Sequence, residues 1–121
     1  MLLKVSFESL KPIYQQIRDQ IILAMGKEEL LPGEDLPTVR QLAKDIGVNP
    51  MTINKAYNQL KDQGYIVIDR RHGARIQDFD RLKQQKTEHL VEELELILSE
   101  TKLKGMPKEE LSEIIEKIYR N

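Results

Sequence analysis

Two short amphipathic patterns, separated by a break at residues 47–50, constrain the fold of this chain more than any other feature. Each pattern places four apolar residues at i, i+3, i+4 and i+7, which gathers them into one inward stripe of a helix. The stripes are Val39, Leu42, Ala43 and Ile46 before the break and Ile53, Ala56, Tyr57 and Leu60 after it. Two short helices joined by so few residues are typical of a helix-turn-helix.

The residues at the ends of both patterns are types that start and stop helices. Thr38 and Asn49 are suited to cap the two N-termini, because their side chains accept hydrogen bonds from unpaired backbone N–H groups. Pro50 suits the first helical position, where its missing N–H removes no bond. Gly47 suits the left-handed conformation that ends a helix. The small side chain of Ala43 lets two such helices cross closely.

The outward face of the second helix separates a nucleic-acid reader from an ordinary helical hairpin, which the spacing alone would favour. A solvated face is usually rich in Glu and Lys. This face instead carries Met51, Thr52, Asn54, Lys55 and Asn58. Asn and Thr hydrogen-bond to base edges and phosphates, Met offers an apolar contact, and Lys neutralises phosphate. The face therefore favours binding to nucleic acid.

The distribution of charge supports the same interpretation. The whole chain has 19 basic and 20 acidic residues, a formal net charge of −1. Residues 38–76 alone contain seven basic side chains against three acidic ones. Because salt confines electrostatic attraction to roughly 10 Å, a polyanion responds to this local excess and not to the near-neutral total.

A short β-prone run after the second helix predicts a hairpin. Its strands are expected at residues 65–68 and 75–77, joined by a polar tip. The tip contains Arg70, Arg71 and His72, which in isolation describe an ordinary charged turn. After a candidate recognition helix, these residues predict a wing that contacts an adjacent groove or phosphate strand.

The segment before these elements predicts an arm and one more helix. Residues 1–10 are expected to be extended, and Pro12 suits the first turn of the helix that follows. The inward positions of this helix are Ile13, Ile17, Ile21 and Ala24. Turns at residues 31–33 and 36–37 separate it from the helix-turn-helix.

From about residue 78 the chain changes to charged helix with an apolar stripe. One helix is expected to run from there to about Gly105, and a second begins at Pro107. The 43 residues of this tail are too few to enclose a ligand pocket of ~300 Å³. A chain this small cannot bury both stripes on its own surface, which predicts a homodimer, although helices that cover the same chain's core are the alternative. The expected interface residues are Leu90, Val91, Leu94, Ile97, Leu98, Leu111, Ile114, Ile115 and Ile118.

Several classes of protein have no support in the sequence. There is no Cys and there are only two His, His72 and His89, which indicate neither thiolate chemistry nor a metal site. The sequence has no Ser/His/acid set and no phosphate-binding glycine loop, which are the motifs that would indicate an enzyme or a cofactor. No apolar run approaches the ~18 residues of a membrane span, and no signal peptide is recognisable. We therefore expect a cytoplasmic binding protein without cofactors.

Motifs from residue 12 to about residue 76, about half of the chain, resemble the GntR family of bacterial transcription regulators. They are Pro12-Ile13-Tyr14-Gln15-Gln16-Ile17, Leu31-Pro32-Gly33-Glu34-Asp35-Leu36-Pro37-Thr38-Val39-Arg40, Leu42-Ala43, Gly47-Val48-Asn49-Pro50-Met51-Thr52-Ile53, Ala56-Tyr57, Leu60 and Gly64. The short helical tail leaves no room for a large ligand-binding domain, and in this it resembles the YtrA-type subgroup.

The resemblance implies a winged helix-turn-helix dimer that binds a two-fold symmetric operator in double-stranded DNA and represses transcription. Positions that contact DNA in the family correspond to Arg40, Asn49, Met51, Thr52, Asn54 and Gly73. From their chemistry and place, Lys55, Arg70, Arg71 and His72 are added as expected phosphate contacts. The subgroup often controls operons for membrane transporters, so the resemblance implies such a target. No residue indicates an effector.

The chain departs from the family pattern in the wing and at the start of the recognition helix. The family commonly has Arg-Gly-x-Gly followed by a small residue and an aromatic one. Here Arg71 replaces the first of these glycines and Arg75 stands at the aromatic position, so a more basic and less strictly turned tip is expected. Pro50 and Met51 replace polar or basic residues, which is expected to change the operator sequence more than the ability to bind.

Taken together, the sequence predicts a mainly α-helical chain with a small β-hairpin. A winged helix-turn-helix DNA-binding domain is expected over residues 1–78, followed by a two-helix dimerisation tail over residues 79–121. The expected function is a dimeric repressor that binds specific DNA. The alternatives are a winged-helix module that binds protein without specific DNA binding, and a winged helix that binds RNA.

Overall fold

The structure, a computed structural model, describes residues 3–120 as eight elements. Its contacts divide the chain into two compact units, Met1–Leu82 and Lys83–Asn121. The elements are α1 (Ile13–Gly26), α2 (Val39–Ile46), α3 (Pro50–Asp62), β1 (Ile66–Asp69), β2 (Gly73–Ile76), α4 (Phe79–Leu82), α5 (Glu88–Leu103) and α6 (Lys108–Tyr119). The predicted class, mainly α with one small hairpin, is confirmed.

The core of the first unit forms where α1 and α2 pack against α3. The apolar stripes of the three helices supply most of its buried residues, as their helical spacing predicts. Ile17, Ile21, Ile53 and Leu60 are completely buried. Helix α3 therefore has one face committed to the core, and its opposite face is left for solvent or a partner.

The ends of α2 and α3 form as the sequence predicts. The Oγ1 of Thr38 accepts a hydrogen bond from the backbone N–H of Gln41 at 3.0 Å. The Oδ1 of Asn49 accepts one from the backbone N–H of Met51 at 2.8 Å. Between them Gly47 adopts a left-handed φ of 72°, a conformation that only glycine takes without strain. These local bonds fix where each helix of the pair begins and ends.

The hairpin after α3 is a regular antiparallel pair. Ile66 lies opposite Ile76, and Asp69 lies opposite Gly73. The strands begin and end slightly away from the expected bounds, because the side chains that pack on the core are those of Ile66, Ala74 and Ile76. Their inward alternation sets the register of the pair.

The segment before α2, where only turns were expected, pairs with the outer edge of β2. The backbone N–H of Leu36 donates to the carbonyl of Ala74 at 2.8 Å, and that of Ile76 donates to the carbonyl of Glu34 at 2.9 Å. This pairing satisfies edge groups of β2 that would otherwise need water. It also ties the wing to the segment that leads into α2.

The arm before α1 is held by two glutamine side chains of that helix. Gln16 accepts from the backbone N–H of Ser6 at 2.8 Å and donates to its carbonyl at 3.0 Å. Gln20 makes the same two kinds of bond with Lys4. Val5, between them, packs against the core. Residues four apart on α1 thus bind alternate residues of the arm.

The prediction of one long helix from about residue 78 to Gly105 is wrong. Helix α4 ends at Leu82 and α5 begins at Glu88. Phe79 and Leu82 pack against the core of the first unit, so this unit extends beyond the boundary expected at residue 78. Residues 83–87 contain no apolar side chain, and nothing in them would bury a continuing helical face.

The second unit consists of α5 and α6. Gly105 takes a φ of 84° between them, and α6 begins directly after Pro107, as predicted. Neither helix has a buried residue. The apolar stripes of this unit are therefore left largely uncovered within it.

Candidate nucleic-acid interface

The outer face of α3 presents the side chains that the sequence singled out. Met51 is 75% exposed, Asn54 and Lys55 are exposed, and Thr52 is partly exposed. The opposite face of the helix is buried against α1 and α2. A short helix held rigidly along one side can present its other side to the major groove, which is wide enough to admit a helix.

An open groove of about 630 Å³ runs along this face of α3. Met51, Asn54 and Lys55 line it, and Tyr14 contributes from α1. Asn58, Gln59, Asp62 and Gln63 complete its lining. The structure therefore brings most of the predicted recognition residues together beside a residue of α1 that the sequence did not indicate.

The Tyr14 ring lies directly under the side chain of Lys55. The Lys55 Nζ is 4.1 Å from the centroid of the ring, which is the geometry of a cation–π contact. Sequence reasoning missed this contact because the two residues lie on different helices and share no local spacing. It makes Lys55 a cation with a defined position.

The N-terminus of α3 is capped by Asn49, which accepts from the N–H of Met51 with its side chain and from the N–H of Thr52 with its carbonyl at 2.9 Å. Pro50 occupies the first helical position, and Asn49 is exposed while its Oδ1 is used by the cap. The partial positive charge of a helix start favours a phosphate here. Asn49 therefore serves the helix start directly, and its predicted contact with DNA would use the remaining amide atoms.

Arg40 lies on the first turn of α2 and its side chain is exposed. Two contacts fix the backbone that leads to it. One is the Thr38 cap, and the other is the hydrogen bond that the Tyr57 hydroxyl donates to the Pro37 carbonyl at 2.8 Å. Its guanidinium therefore extends from a rigid position on the same unit as α3.

The wing tip is closed although Arg71 replaces a family glycine. Gly73 has a φ of 70°, and among the described residues that are not glycine only Glu28 has a positive φ. Arg71 thus occupies a position in this turn that needs no glycine. Arg70, Arg71 and His72 are exposed at the tip, so the structure shows the expected basic surface. The expectation of a less strictly turned tip is wrong for this hairpin.

Asp69 organises the wing, a role that no sequence motif indicated. Its carboxylate accepts a hydrogen bond from the backbone N–H of His72 at 2.6 Å, and the guanidinium of Arg75 lies 3.0 Å away. The His72 Nδ1 is 3.3 Å from the same carboxylate. The hydrogen bond from the His72 backbone is the largest cause that lowers the pKa of Asp69. Arg75 is bound by Asp69 within the hairpin, whereas the side chains of Arg70 and Arg71 extend from it.

The residues expected at a dimer interface all lie in the second unit. Most are about half exposed, from 37% for Leu98 to 55% for Ile97. Leu111 and Ile118 are partly buried. The candidate DNA contacts all belong to the first unit.

Residues 3–120 contain no group of three or more His, Cys, Asp or Glu side chains that could hold a metal ion. Over the same residues, no helix is long and apolar enough to cross a membrane.

The elements that carry this candidate interface match a known protein family. The family described as "Bacterial regulatory proteins, gntR family" matches residues 11–76, more than half of the chain. The chain belongs to the GntR family. The match spans α1, the helix-turn-helix and the wing, and it confirms the family that the sequence motifs predicted.

Relatives within the GntR family are similar over nearly the whole chain. The HTH-type transcriptional regulator YhcF of Bacillus subtilis (strain 168) is 39% identical over 88% of this chain and 89% of its own length. The HTH-type transcriptional repressor YtrA of the same organism is 33% identical over 97% of this chain and 92% of its own. The similarity to YtrA includes the helical tail, so this chain is a YtrA-like member of the GntR family.

Solved structures of GntR proteins have the same fold. YtrA from Sulfolobus acidocaldarius, a GntR-family transcription factor, has a TM-score of 0.66 and 38% identity over 84% of this chain and 97% of that one. AraR(DBD), solved in complex with operator ORX1, has a TM-score of 0.56 and 28% identity over 61% of this chain and 95% of that one. These similarities confirm a winged-helix DNA-binding transcription regulator, and they favour it over the protein-interaction module.

Proposed function

We propose that this chain is a homodimeric repressor that recognises a two-fold symmetric operator with α3 in the major groove. The observation that carries the proposal is the outer face of α3, where Met51, Asn54 and Lys55 line one open groove beside a capped helix start. The complex of AraR(DBD) with operator DNA supports this mode of binding.

The base-reading residues in this proposal lie in the first two turns of α3. Thr52 and Asn54 would hydrogen-bond to base edges, and Met51 would contact the methyl group of a thymine. Met51 is largely exposed and does not belong to the core, so packing does not explain an apolar residue at this position. Asn49, at the cap, would contact DNA where the helix enters the groove.

The proposed phosphate-binding residues lie before, within and after α3 in the sequence. Arg40 on α2 and Lys55 on α3 are exposed cations of one rigid unit. The wing contributes Arg70, Arg71 and His72, and Gly73 has no Cβ that would keep a phosphate away from the backbone of the tip. Such contacts supply most of the affinity and set the register of the protein on the duplex, while the bases specify the sequence.

Dimerisation through the tail would place two copies of α3 on one operator. The apolar stripes of α5 and α6 are about half exposed in the single chain, which is unfavourable unless a partner covers them. A second copy offers the same stripes in a two-fold arrangement. A two-fold dimer in turn matches half-sites about one helical turn apart, or a multiple of that distance.

Occupation of the operator would block transcription of the genes beside it. The Bacillus subtilis relative YtrA is named as a repressor and is similar over nearly the whole chain, which supports repression. We propose the cytoplasm as the place of action, because that is where bacterial genes lie, and binding without catalysis as the activity. A transporter operon as the target follows from the resemblance to the YtrA-type subgroup.

The test begins with genomic DNA, so that the operator need not be known. Purified protein is mixed with sheared DNA of the source organism, and the retained fragments are sequenced. A duplex that carries the shared sequence is then titrated by fluorescence anisotropy near physiological salt, beside a scrambled duplex and RNA of the same sequence. We expect a preference of ~10³-fold or more for the selected duplex. Equal binding to all three would overturn the proposal.

Repression and stoichiometry are tested on the same sequence. Transcription in vitro from a promoter that carries the selected site should fall as protein is added, and recover when the site is scrambled. Increased transcription would contradict repression while leaving specific binding intact. Sedimentation of the complex should give two chains per duplex, and one chain per duplex would contradict the dimer.

A further inference from the structure

We infer that Tyr14 of α1 is a positioning residue for DNA binding, and that its ring holds the ammonium group of Lys55 where a phosphate can receive it. The inference rests on the proposed function and deepens it, because it assigns a DNA-binding role to a residue outside the helix-turn-helix. The observation is the stacking of Lys55 over Tyr14, with 4.1 Å between Nζ and the ring centroid.

The ring itself is held in place by the core. Tyr14 lies one turn before Ile17, which is completely buried in the packing of α1 on α3. Tyr14 is partly buried and also lines the open groove along α3. A rigid aromatic surface therefore stands at a fixed distance from α3, the helix that carries Lys55.

A fixed position matters for lysine more than for most residues. The lysine side chain has four rotatable bonds, and ordering it against a phosphate costs conformational entropy. A ring that already restricts these rotations removes part of that cost before DNA arrives. The ring face attracts the cation without using up its N–H donors, so the ammonium group can still bind a phosphate oxygen.

Asp62, at the far end of the same groove, is a carboxylate that competes with a phosphate for Lys55. It is exposed and lies seven residues after Lys55 on α3, roughly 10 Å along the helix. A mobile Lys55 would be drawn toward this carboxylate, and away from the start of α3. The Tyr14 ring therefore keeps the positive charge near the end of the helix that reads the bases.

The experiment is a double-mutant cycle measured on the selected operator. Tyr14→Leu and Tyr14→Phe are prepared in the natural chain and in Lys55→Met, and affinities are measured by fluorescence anisotropy at several salt concentrations. We expect Tyr14→Leu to weaken binding about two- to fivefold, while Tyr14→Phe restores most of the affinity because it keeps the ring. In Lys55→Met, Tyr14→Leu should have no further effect, and the salt slope should fall by about one unit.

Two measurements separate positioning from a loss of structure. Thermal unfolding shows whether each variant is folded, and the NMR shift of the Lys55 side-chain protons reports whether the ring lies over them in the free protein. Lys61→Met, an exposed lysine of the same helix that does not line the groove, is the matched control and should leave the effect of Tyr14→Leu unchanged.

Four results would overturn the inference. An equal loss on Tyr14→Leu with and without Lys55 would mean that the ring acts through another group. An equal loss for Tyr14→Phe and Tyr14→Leu would assign the effect to the hydroxyl. Specific binding with no effect of either substitution would remove the role of Tyr14 alone, whereas absence of specific binding by the natural chain would overturn the proposed function and this inference together.

Discussion

The hydroxyl of Tyr57 donates a hydrogen bond of 2.8 Å to the backbone carbonyl of Pro37. Tyr57 is 2% exposed and belongs to the buried stripe of α3, whereas Pro37 immediately precedes the Thr38 cap of α2. The bond thus joins the recognition helix to the start of the helix before it. Together with the packing of α2 on α3, it fixes the relative position of Arg40 and α3.

Removal of this hydroxyl is expected to destabilise the first unit. Tyr57→Phe keeps the ring in the core but leaves the Pro37 carbonyl without its partner, and we expect the free energy of unfolding to fall by about 1–2 kcal/mol. Urea unfolding followed by circular dichroism measures the change. Tyr119→Phe, at a tyrosine that is 80% exposed, is the control and should be neutral. An unchanged midpoint for Tyr57→Phe would show that the bond contributes nothing net.

The same tyrosine should make stability fall at alkaline pH. Burial raises the pKa of Tyr57 well above the ordinary value of about 10, so the folded chain keeps a proton that the unfolded chain releases. This contribution is complete below pH ~10 and decreases above it, by up to roughly 1.4 kcal/mol per pH unit. The difference in unfolding free energy between the natural chain and Tyr57→Phe should therefore shrink between pH 9 and pH 11. A constant difference would contradict this account.

Loss of the Asp69 carboxylate is expected to loosen the wing. Asp69→Ala removes the acceptor of the His72 N–H and the partner of Arg75, so amide hydrogen exchange at His72 should become faster and operator binding weaker. Asp69→Asn keeps an acceptor for the His72 N–H without the charge, and it separates the two contributions.

The pH dependence of the wing follows from the lowered pKa of Asp69. Because the folded pKa lies below the unfolded value of about 3.9, the ionised carboxylate stabilises the turn fully above that value. The stabilisation is lost as the pH falls through the folded pKa. Protection of the His72 N–H should thus stay constant from pH 7 to pH ~4. Its loss between pH 7 and pH 5 would point to another group.

Arg40→Ala is expected to weaken binding to all duplexes alike. An exposed guanidinium that contacts a phosphate carries no sequence information, so the preference for the operator should remain while the salt slope decreases by about one unit. Anisotropy titrations of the operator and the scrambled duplex at several salt concentrations measure both. Lys104→Ala, an exposed lysine of the second unit, is the control. A changed preference without a changed slope would make Arg40 a base-reading residue.

Charges within the tail stripe should dissociate the dimer. Leu94 and Leu98 are 54% and 37% exposed, and glutamate at both positions would bury unpaired charges if a second copy covers them. We expect monomers in analytical ultracentrifugation, and the variant should bind the full operator hardly more tightly than it binds a single half-site. Leu96→Glu is the control, because Leu96 is an apolar residue of the same helix that is not among the expected interface residues. A dimer that survives glutamate at both Leu94 and Leu98 would place the interface elsewhere.

The sequence was most informative where the determinants of structure are local. The Thr38 and Asn49 caps, the left-handed Gly47 and the two inward stripes each depend on residues within one or two helical turns. Their chemistry indicates a helix-turn-helix before any contact between elements is known. The basic tip and the exposed face of α3 could be predicted for the same reason.

The sequence was less informative where segments distant in the chain compete or combine. The pairing of residues 34–36 with β2 depends on an unpaired strand edge that exists only after the hairpin has packed. The end of α4 at Leu82 depends on that residue finding a place in the core of the first unit. The residues near each segment in the sequence indicate neither the free edge of β2 nor the space that the core offers Leu82, so local patterns could not predict these two features.

The sequence by itself determined the family, the helix-turn-helix and the set of residues able to meet DNA, because helical spacing, caps and residue chemistry are written locally. Only the tertiary structure decided that Lys55 lies over Tyr14, that Asp69 binds Arg75, and that Tyr57 joins α3 to the start of α2. Each of these contacts crosses between secondary elements, where distance depends on packing. The physical reason is that a side chain's partner is set by which surfaces the core brings together, and the core forms from the whole unit at once.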